Sequence, residues 1–455
     1  MSEHDVIVIG AGPAGEVCAG RLADAGLDVA LIERELIGGE CAYWACMPAK
    51  ALLRPAELLA EVRRVPGARE AVTGPLDPQA VLDRRDQVIH DLDDSAQLGW
   101  LEDKRIRLLR GQARLDGVRA VVVGGERLSA RRAVVVAVGS GALIPSIPGL
   151  DEIDPWTSRE GTTARAVPNR LLVLGGGVVG CELAQAWASL GAGVILVEAE
   201  TRLLPGEEPF VADLLTDSLR ELGVEIRREA RVGAARRESR GIVLTLADGD
   251  ELIGDELLVA VGRRPHTGAL GLETVGLAPG EVIDVDDRMR VAGRDWLYAV
   301  GDVNGRALLT HAAKYQARVA AANILGHPMR ARSDGPGSPR VVFTEPQVAA
   351  VGLTLAAALA EGIRAEAVDA EIERTPGASF IGKGARSGAR IVVDRDRDLI
   401  IGATFAGPEV ADWLPAATIA IVAEVPRERL QHAIPPFPTR SEVWLALLDG
   451  WAGLG

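Results

Sequence analysis

The chain has 455 residues, 48% of them hydrophobic and 25% charged, with a formal net charge of −14. That length allows two to four domains and an ample core, and the acidity argues against nucleic acid or an anionic membrane as partner. Four cysteines in so long a chain exclude a disulfide scaffold, no uncharged run approaches a membrane span, and Met1-Ser2-Glu3-His4-Asp5 lacks the basic start of a secretion signal. A cytoplasmic location is expected, where a lone cysteine pair is more often catalytic than structural.

Asp5-Val6-Ile7-Val8-Ile9 predicts a short buried strand, Gly10-Ala11-Gly12-Pro13-Ala14-Gly15 a tight turn into a helix reaching Ala25, and Val29 to Glu33 a second strand. In such a βαβ unit Gly10, Gly12 and Gly15 let a pyrophosphate approach a helix N-terminus, and Glu33 is placed to bind ribose hydroxyls. Then comes Gly38-Gly39-Glu40-Cys41-Ala42-Tyr43-Trp44-Ala45-Cys46-Met47-Pro48-Ala49-Lys50. The segment after Cys41 reads as a helix reaching Arg64. A regular helix sets residues i and i+5 about 8.7 Å apart at Cα, beyond the roughly 7 Å a disulfide spans. Bridging Cys41 to Cys46 therefore needs a distorted first turn, and Pro48 is placed to distort one. A helix N-terminus also favours the thiolate. A nucleotide fold followed by such a pair points to redox chemistry between a flavin and a dithiol.

Val134 to Val138 predicts a strand breaking at Gly139. Leu171 to Leu174 leads into Gly175-Gly176-Gly177-Val178-Val179-Gly180, a helix to Leu190 and a strand ending at Glu198. The first glycine and the acid are 23 residues apart in both copies, 10 to 33 and 175 to 198. One such fingerprint is weak evidence; two in matching context, Gly10, Gly12, Gly15 with Glu33 and Gly175, Gly177, Gly180 with Glu198, are strong. Two nucleotides are expected. Leu257 to Val261 is a further strand ending at Gly262, and Leu297 to Gly301 another, after which Asp302 is placed to accept from a sugar alcohol. A helix from Lys314 to Leu325, a linker from His327 to Arg340, strands at Arg340–Thr344 and Ala389–Val393, and an apolar helix from Trp413 to Val422 complete the chain. Cys18 and Cys181, on the helices behind the two glycine turns, read as core fillers.

Both fingerprints, the Cys-x4-Cys-x-Pro-x-Lys run, Val300-Gly301-Asp302, and Phe343-Thr344-Glu345-Pro346 through Val351-Gly352-Leu353-Thr354 resemble the pyridine nucleotide–disulfide oxidoreductases, which include lipoamide dehydrogenase, glutathione reductase and mercuric reductase. The resemblance spans nearly the whole chain. It implies an α/β fold of two Rossmann-like dinucleotide-binding domains plus a C-terminal α/β dimerisation domain. The implied layout is FAD-binding at 1–150 and 271–330, NAD(P)-binding at 151–270 and an interface domain at 340–455. By this resemblance Gly10, Gly12, Gly15, Glu33, Gly139 and Asp302 hold FAD, and the second fingerprint with Gly262 holds the nicotinamide. Lys50 and Glu182 form an ion pair beside the flavin, Cys46 touches the flavin, and Cys41 attacks substrate. A homodimer is implied, and no metal.

The family's His-Pro-Thr-x-x-Glu, supplied by the other subunit, reads here Phe437-Pro438-Thr439-Arg440-Ser441-Glu442. Phenylalanine cannot transfer a proton. His432 is expected on a surface helix end. Tyr43 and Trp44 are expected to make the mouth aromatic, with Phe437 packed on them as a lid. Mercuric reductase also lacks this His but carries a second cysteine pair near its C-terminus, whereas Trp451-Ala452-Gly453-Leu454-Gly455 holds none. The expected function is FAD-dependent transfer of electrons from NAD(H), with NADP(H) possible, through Cys41–Cys46 to a disulfide or thiol-reactive small-molecule acceptor, with Glu442 or water as proton source. Two alternatives stay open: a quinone or metal-ion reductase, and a low-turnover redox-responsive component of an assembly. Glu198 favours NADH, with Arg202, Arg263 and Arg264 as competing influences.

Overall fold

The computed structural model describes residues 2–335 and 337–453. Their fold is mixed α/β, in two compact units, each assembled from three stretches of chain. The first unit comprises Met1–Pro48, Asp86–Leu143 and Arg263–Ser338. Its sheet is built on Ser2–Ile9, which runs parallel to Val29–Glu33 on one side and to Glu126–Val136 on the other. Arg107–Arg110 extends one edge, and Leu297–Ala299 pairs in parallel with the end of Glu126–Val136.

The strand Val6-Ile7-Val8-Ile9 is apolar at every position because both faces are covered. Val6 and Val8 enter a core with Ala14, Cys18 and Leu22 of the Pro13–Asp24 helix and with Ala313 and Ala317 of the Thr310–Ile324 helix. Ile7 and Ile9 enter a second core, on the other face, with Ala30, Ile32, Val134 and Val136. One strand thus feeds two cores through the two-residue alternation of its side chains.

The second unit comprises Ala49–Arg85, Ile144–Gly262 and Pro339–Gly455. It repeats the device in a parallel sheet ordered Glu225–Arg227, Gly193–Val197, Arg170–Leu174, Glu256–Val259. Leu171 and Val173 face one core; Leu172 and Leu174 face another. An antiparallel three-stranded sheet comes next, from Val232–Glu238 to Glu251–Gly254. Beyond residue 340 the chain forms a five-stranded antiparallel sheet ordered Arg340–Val342, Gln347–Gly352, Leu399–Gly407, Gly388–Asp394, Ala365–Ala370. The helices Leu414–Val422 and Val443–Ala452 contribute to its core.

Three differences from the sequence reading are local. The helix expected from Lys314 begins at Thr310. The single helix expected after Cys41 is two, Gly39–Tyr43 and Cys46–Arg64, parted at Trp44, whose φ of −133° leaves the helical region. The break precedes Pro48, which instead occupies the first turn of the second helix, where its missing N–H leaves no helical bond unmade. The described residues of 327–340 lack helix and strand apart from Arg340 itself, yet Asp334 is buried there in an ion pair with Arg306, 2.8 Å from its Nε.

Candidate active site

The two glycine turns match in detail. Gly10 has φ +100° and a Cβ there would lie 2.4 Å from the Ala137 carbonyl oxygen; at Gly15 it would lie 1.8 Å from the Gly10 oxygen. Gly175 has φ +108° and the same conflict with the Ala260 oxygen at 2.5 Å, and Gly180 with the Gly175 oxygen at 1.9 Å. The chain itself thus demands these four glycines. Gly12 and Gly177 are different: their φ values of −71° and −77° suit any residue, and a Cβ on either meets nothing within 4 Å. Open space at the mouth of a helix N-terminus fits a pyrophosphate. Gly139, with φ +67°, also opens on free space, and Gly262 has φ +151°.

Each acid braces its own turn. Glu33 accepts the N–H groups of Ala11 and Glu35, both at 2.7 Å; Glu198 accepts those of Gly176 at 2.5 Å and Glu200 at 2.8 Å. A carboxylate oxygen takes more than one donor, so both keep capacity for ribose hydroxyls. Asp302 accepts the Ser140 hydroxyl at 2.6 Å, while Arg263 donates to that hydroxyl at 2.8 Å and to the Ser140 carbonyl at 2.6 Å. The turn before Asp302 is held by Gln316, whose Oε1 accepts the Gly301 N–H at 2.7 Å and the Asn304 amide at 2.8 Å.

The cysteine segment docks on the first glycine turn. Gly38 N–H donates to the Ala11 carbonyl at 2.8 Å, and a Cβ on Gly39 would lie 3.0 Å from the Gly12 Cα. Cys41 lies within the short helix and Cys46 opens the next one. Neither is in a disulfide. Between them stands Thr310, whose hydroxyl donates to Cys41 Sγ at 3.1 Å and lies 3.5 Å from Cys46 Sγ. The Cys41 thiol is pushed well up, first by its hydrogen bond to Cys46, then by burial and the charge on Cys46; Thr310 and the Lys314 charge oppose this. Cys46, at the N-terminus of a 19-residue helix, is the better seat for the first negative charge. Tyr43 corrects the aromatic-mouth expectation. It is 3% exposed and lies against Gly38, so it cannot line an open entrance or support a lid. Burial pushes the Cys18 thiol up to about 12 and raises Cys181 as well, leaving both inert.

In the second unit, Lys50 Nζ lies 2.7 and 3.0 Å from the two Glu182 oxygens. The carboxylate also accepts the Phe343 N–H at 2.9 Å, and the ammonium sits 4.8 Å from the centre of the Phe343 ring. Lys50 lies one helical turn beyond Cys46 on a continuous helix. Glu442 closes a capping box, accepting the Thr439 N–H at 2.8 Å. The backbone there is wedged on Gly377, where a Cβ would come within 2.1 Å of the Thr439 carbonyl carbon. Phe437 is 77% exposed, and His432 is exposed just after the Arg427–Leu430 helix. Thr310, Ser140 and Gln316 had no sequence signal of their own, and Arg263 was expected only as an influence on the coenzyme; each acts through a partner distant in the chain.

Residues 4–317 match the family model for pyridine nucleotide-disulphide oxidoreductases, and residues 338–447 match that family's dimerisation domain. The chain belongs to the pyridine nucleotide-disulphide oxidoreductases. Relatives include the mercuric reductase of Acidithiobacillus ferrooxidans, 33% identical over 97% of this chain and 81% of that one. Dihydrolipoyl dehydrogenase 3 of Pseudomonas aeruginosa is 34% identical over 97% and 96%. Among solved structures, the Cu(II) complex of the HOCl-induced flavoprotein disulfide reductase RclA of Escherichia coli superposes with a TM-score of 0.87 at 26% identity, covering 99% of each chain. As a pyridine nucleotide-disulphide oxidoreductase the protein is a flavin-dependent enzyme that uses FAD and NAD(P)H. No described helix is long and apolar enough to cross a membrane.

The glycine geometry and the ion pair each set an expected outcome. Gly15→Ala should destabilise the fold by more than about 4 kcal/mol, since backbone must move; Gly12→Ala should leave the apoprotein melting temperature unchanged and lower FAD content in absorbance. Full FAD retention in Gly12→Ala would remove that position from the cradle. Lys50→Met strands the buried Glu182 carboxylate with one backbone donor and should cost about 2 kcal/mol in denaturant melts, less than for a fully buried pair because Lys50 is 32% exposed. Glu182→Gln in the Lys50→Met background should restore part of that loss.

Proposed function

We propose that the Cys41–Cys46 pair is the centre through which this enzyme reduces a disulfide or another thiol-reactive acceptor, without an imidazole base from the second subunit. The observation that carries the reading is the Thr310 hydroxyl between two sulfurs that no disulfide joins, beside the glycine turn that fits a pyrophosphate. FAD, when bound, supplies the two-electron link between nicotinamide and the pair. Gly10, Gly12, Gly15, Glu33, Gly139 and Asp302 would hold it, in a domain formed by 1–150 and 271–330. Gly175, Gly177, Gly180, Glu198 and Gly262, in 151–270, would hold the nicotinamide coenzyme. Lys50, fixed by Glu182, sets a positive charge one turn from Cys46, the thiol nearer the flavin; Cys41 is the outer thiol.

NADH is the favoured coenzyme. Glu198 is anchored by two backbone N–H groups, and a carboxylate there repels a 2′-phosphate. Arg202 is spent on the carbonyls of Pro205 and Glu207, and Arg263 on Ser140. Residues 340–455 would form the homodimer interface that presents Phe437 and Glu442 to the partner's pair, and the reducing cytoplasm suits a cycling dithiol.

The test is a screen of disulfides, quinones and metal ions with NADH and NADPH on the holoprotein and on Cys41→Ser. The expected outcome is disulfide reduction with a higher kcat/KM for NADH, abolished by Cys41→Ser. Acceptor reduction that survives the substitution would make the cysteines bystanders and favour a quinone acceptor.

Phe437 stands where the family places its His. Phe437→His should leave the monomer's stability within about 0.5 kcal/mol, because the side chain is exposed. It should raise turnover with small disulfides, by at most the roughly 10²–10⁴-fold of general acid–base catalysis. Steady-state rates together with a thermal melt check both; a lower melting temperature would show that Phe437 packs on a second subunit.

A further inference from the structure

Attack on a disulfide requires an ionised sulfur, and burial beside Cys46 works against ionising Cys41. We propose that the Cys41 thiolate is held by groups of its own unit, the Thr310 hydroxyl that bonds its sulfur and the Lys314 ammonium one helical turn further on, in place of a base from the partner. The proposal rests on the dithiol reading above and adds to it the residues that do the activating.

Thr310 opens the Thr310–Ile324 helix, and its hydroxyl touches both sulfurs, at 3.1 and 3.5 Å. Lys314, four residues on, shares that face of the helix. The same helix packs Ala313 and Ala317 against Ala14 and Cys18 of the Pro13–Asp24 helix, whose first turn carries Glu16. The Lys314 charge favours the thiolate at Cys41 and the carboxylate at Glu16, while burial opposes both. Cys41 faces Cys46 as well; Glu16 faces Glu33; Tyr43, close to Glu16, also faces Asp93, Asp94 and Arg110. Glu40 adjoins Cys41 and His311 adjoins Thr310 in the chain. Lys314 acts on Cys41 as well as on Glu16, and a lysine serving Glu16 alone would leave the thiol unaffected.

The exchange then runs without a protein base. Cys41 Sγ attacks one acceptor sulfur, a Cys41–acceptor bond forms, the acceptor S–S bond breaks, and the leaving thiolate takes a proton from water. Cys46 Sγ attacks the Cys41 sulfur, closes the intramolecular disulfide and expels the second thiolate, which is protonated likewise. Two electrons pass from the pair to the acceptor, and the two protons lost by the cysteines equal the two gained by the products.

In a Cys46→Ala holoprotein Cys41 titrates alone, and the pH profile of its alkylation by iodoacetamide reads its thiolate without any acceptor. Lys314→Met should move that profile up by about one pH unit, slowing alkylation at pH 7 about tenfold. Lys314→Arg should hold it, Thr310→Val should move it up, and Glu16→Gln, which frees Lys314 of its other anion, should move it down. With both cysteines present, Lys314→Met should shift the acidic limb of kcat/KM for disulfide reduction upward by the same amount. An unmoved alkylation profile in Lys314→Met, with flavin content and melting temperature intact, overturns the proposal. Should Lys314→Met lose its flavin, Thr310→Val and Glu16→Gln decide by their opposite signs. A profile that moves while Cys41→Ser still reduces acceptor would sustain the charge placement and defeat the dithiol reading.

Discussion

The site depends on a contact that leaves no room for a side chain, the Gly15 Cα against the Gly10 carbonyl. It draws the Pro13–Asp24 helix onto the end of the central strand, and Gly38 and Gly39 then rest on the same turn. The short helix that starts at Gly39 and the longer one that starts at Cys46 place the two sulfurs. Nucleotide cradle and dithiol are therefore consecutive parts of one backbone arrangement. The Glu33 carboxylate, bound to Ala11 and Glu35, clamps the turn from the far side. Glu198 does the same for the second turn with no cysteine segment attached, so the two copies share a scaffold and differ in what they carry.

Cys41 and Cys46 are chemically unequal for reasons of position. Cys46 has a long helix behind it, whose N-terminal N–H groups favour an anion. Cys41 has a partner sulfur that penalises a second charge, and Thr310 and Lys314 oppose that. Thr310 and Lys314 act on Cys41 from within its own compact unit.

The glycine turns, the acids that follow them and the central strands were legible in the sequence because each is a spacing pattern, and the Lys50–Glu182 pair came with the family resemblance. The break at Trp44 was expected as a need but misplaced to Pro48, since proline's missing N–H matters only beyond the first helical turn. Tyr43 left the expected mouth because periodicity cannot tell which way its ring turns when a glycine, Gly38, leaves a slot for it. Thr310 was invisible for another reason. It lies 264 residues from Cys46, and nothing in Leu309-Thr310-His311 marks a hydroxyl as bound for two sulfurs. Glu16 reads as an ordinary first-turn acid until the packed helix behind it supplies Lys314.

The segment from Phe437 to Glu442 has its backbone wedged on Gly377 and closed by the Thr439–Glu442 box, while the Phe437 ring extends from it with few ties to its own chain. A fixed frame bearing a free side chain is an evolutionary dial. A substitution at 437 alters what the segment presents to its surroundings without disturbing the fold that presents it. One surface chemistry can thus be exchanged for another while the frame beneath it stays in place.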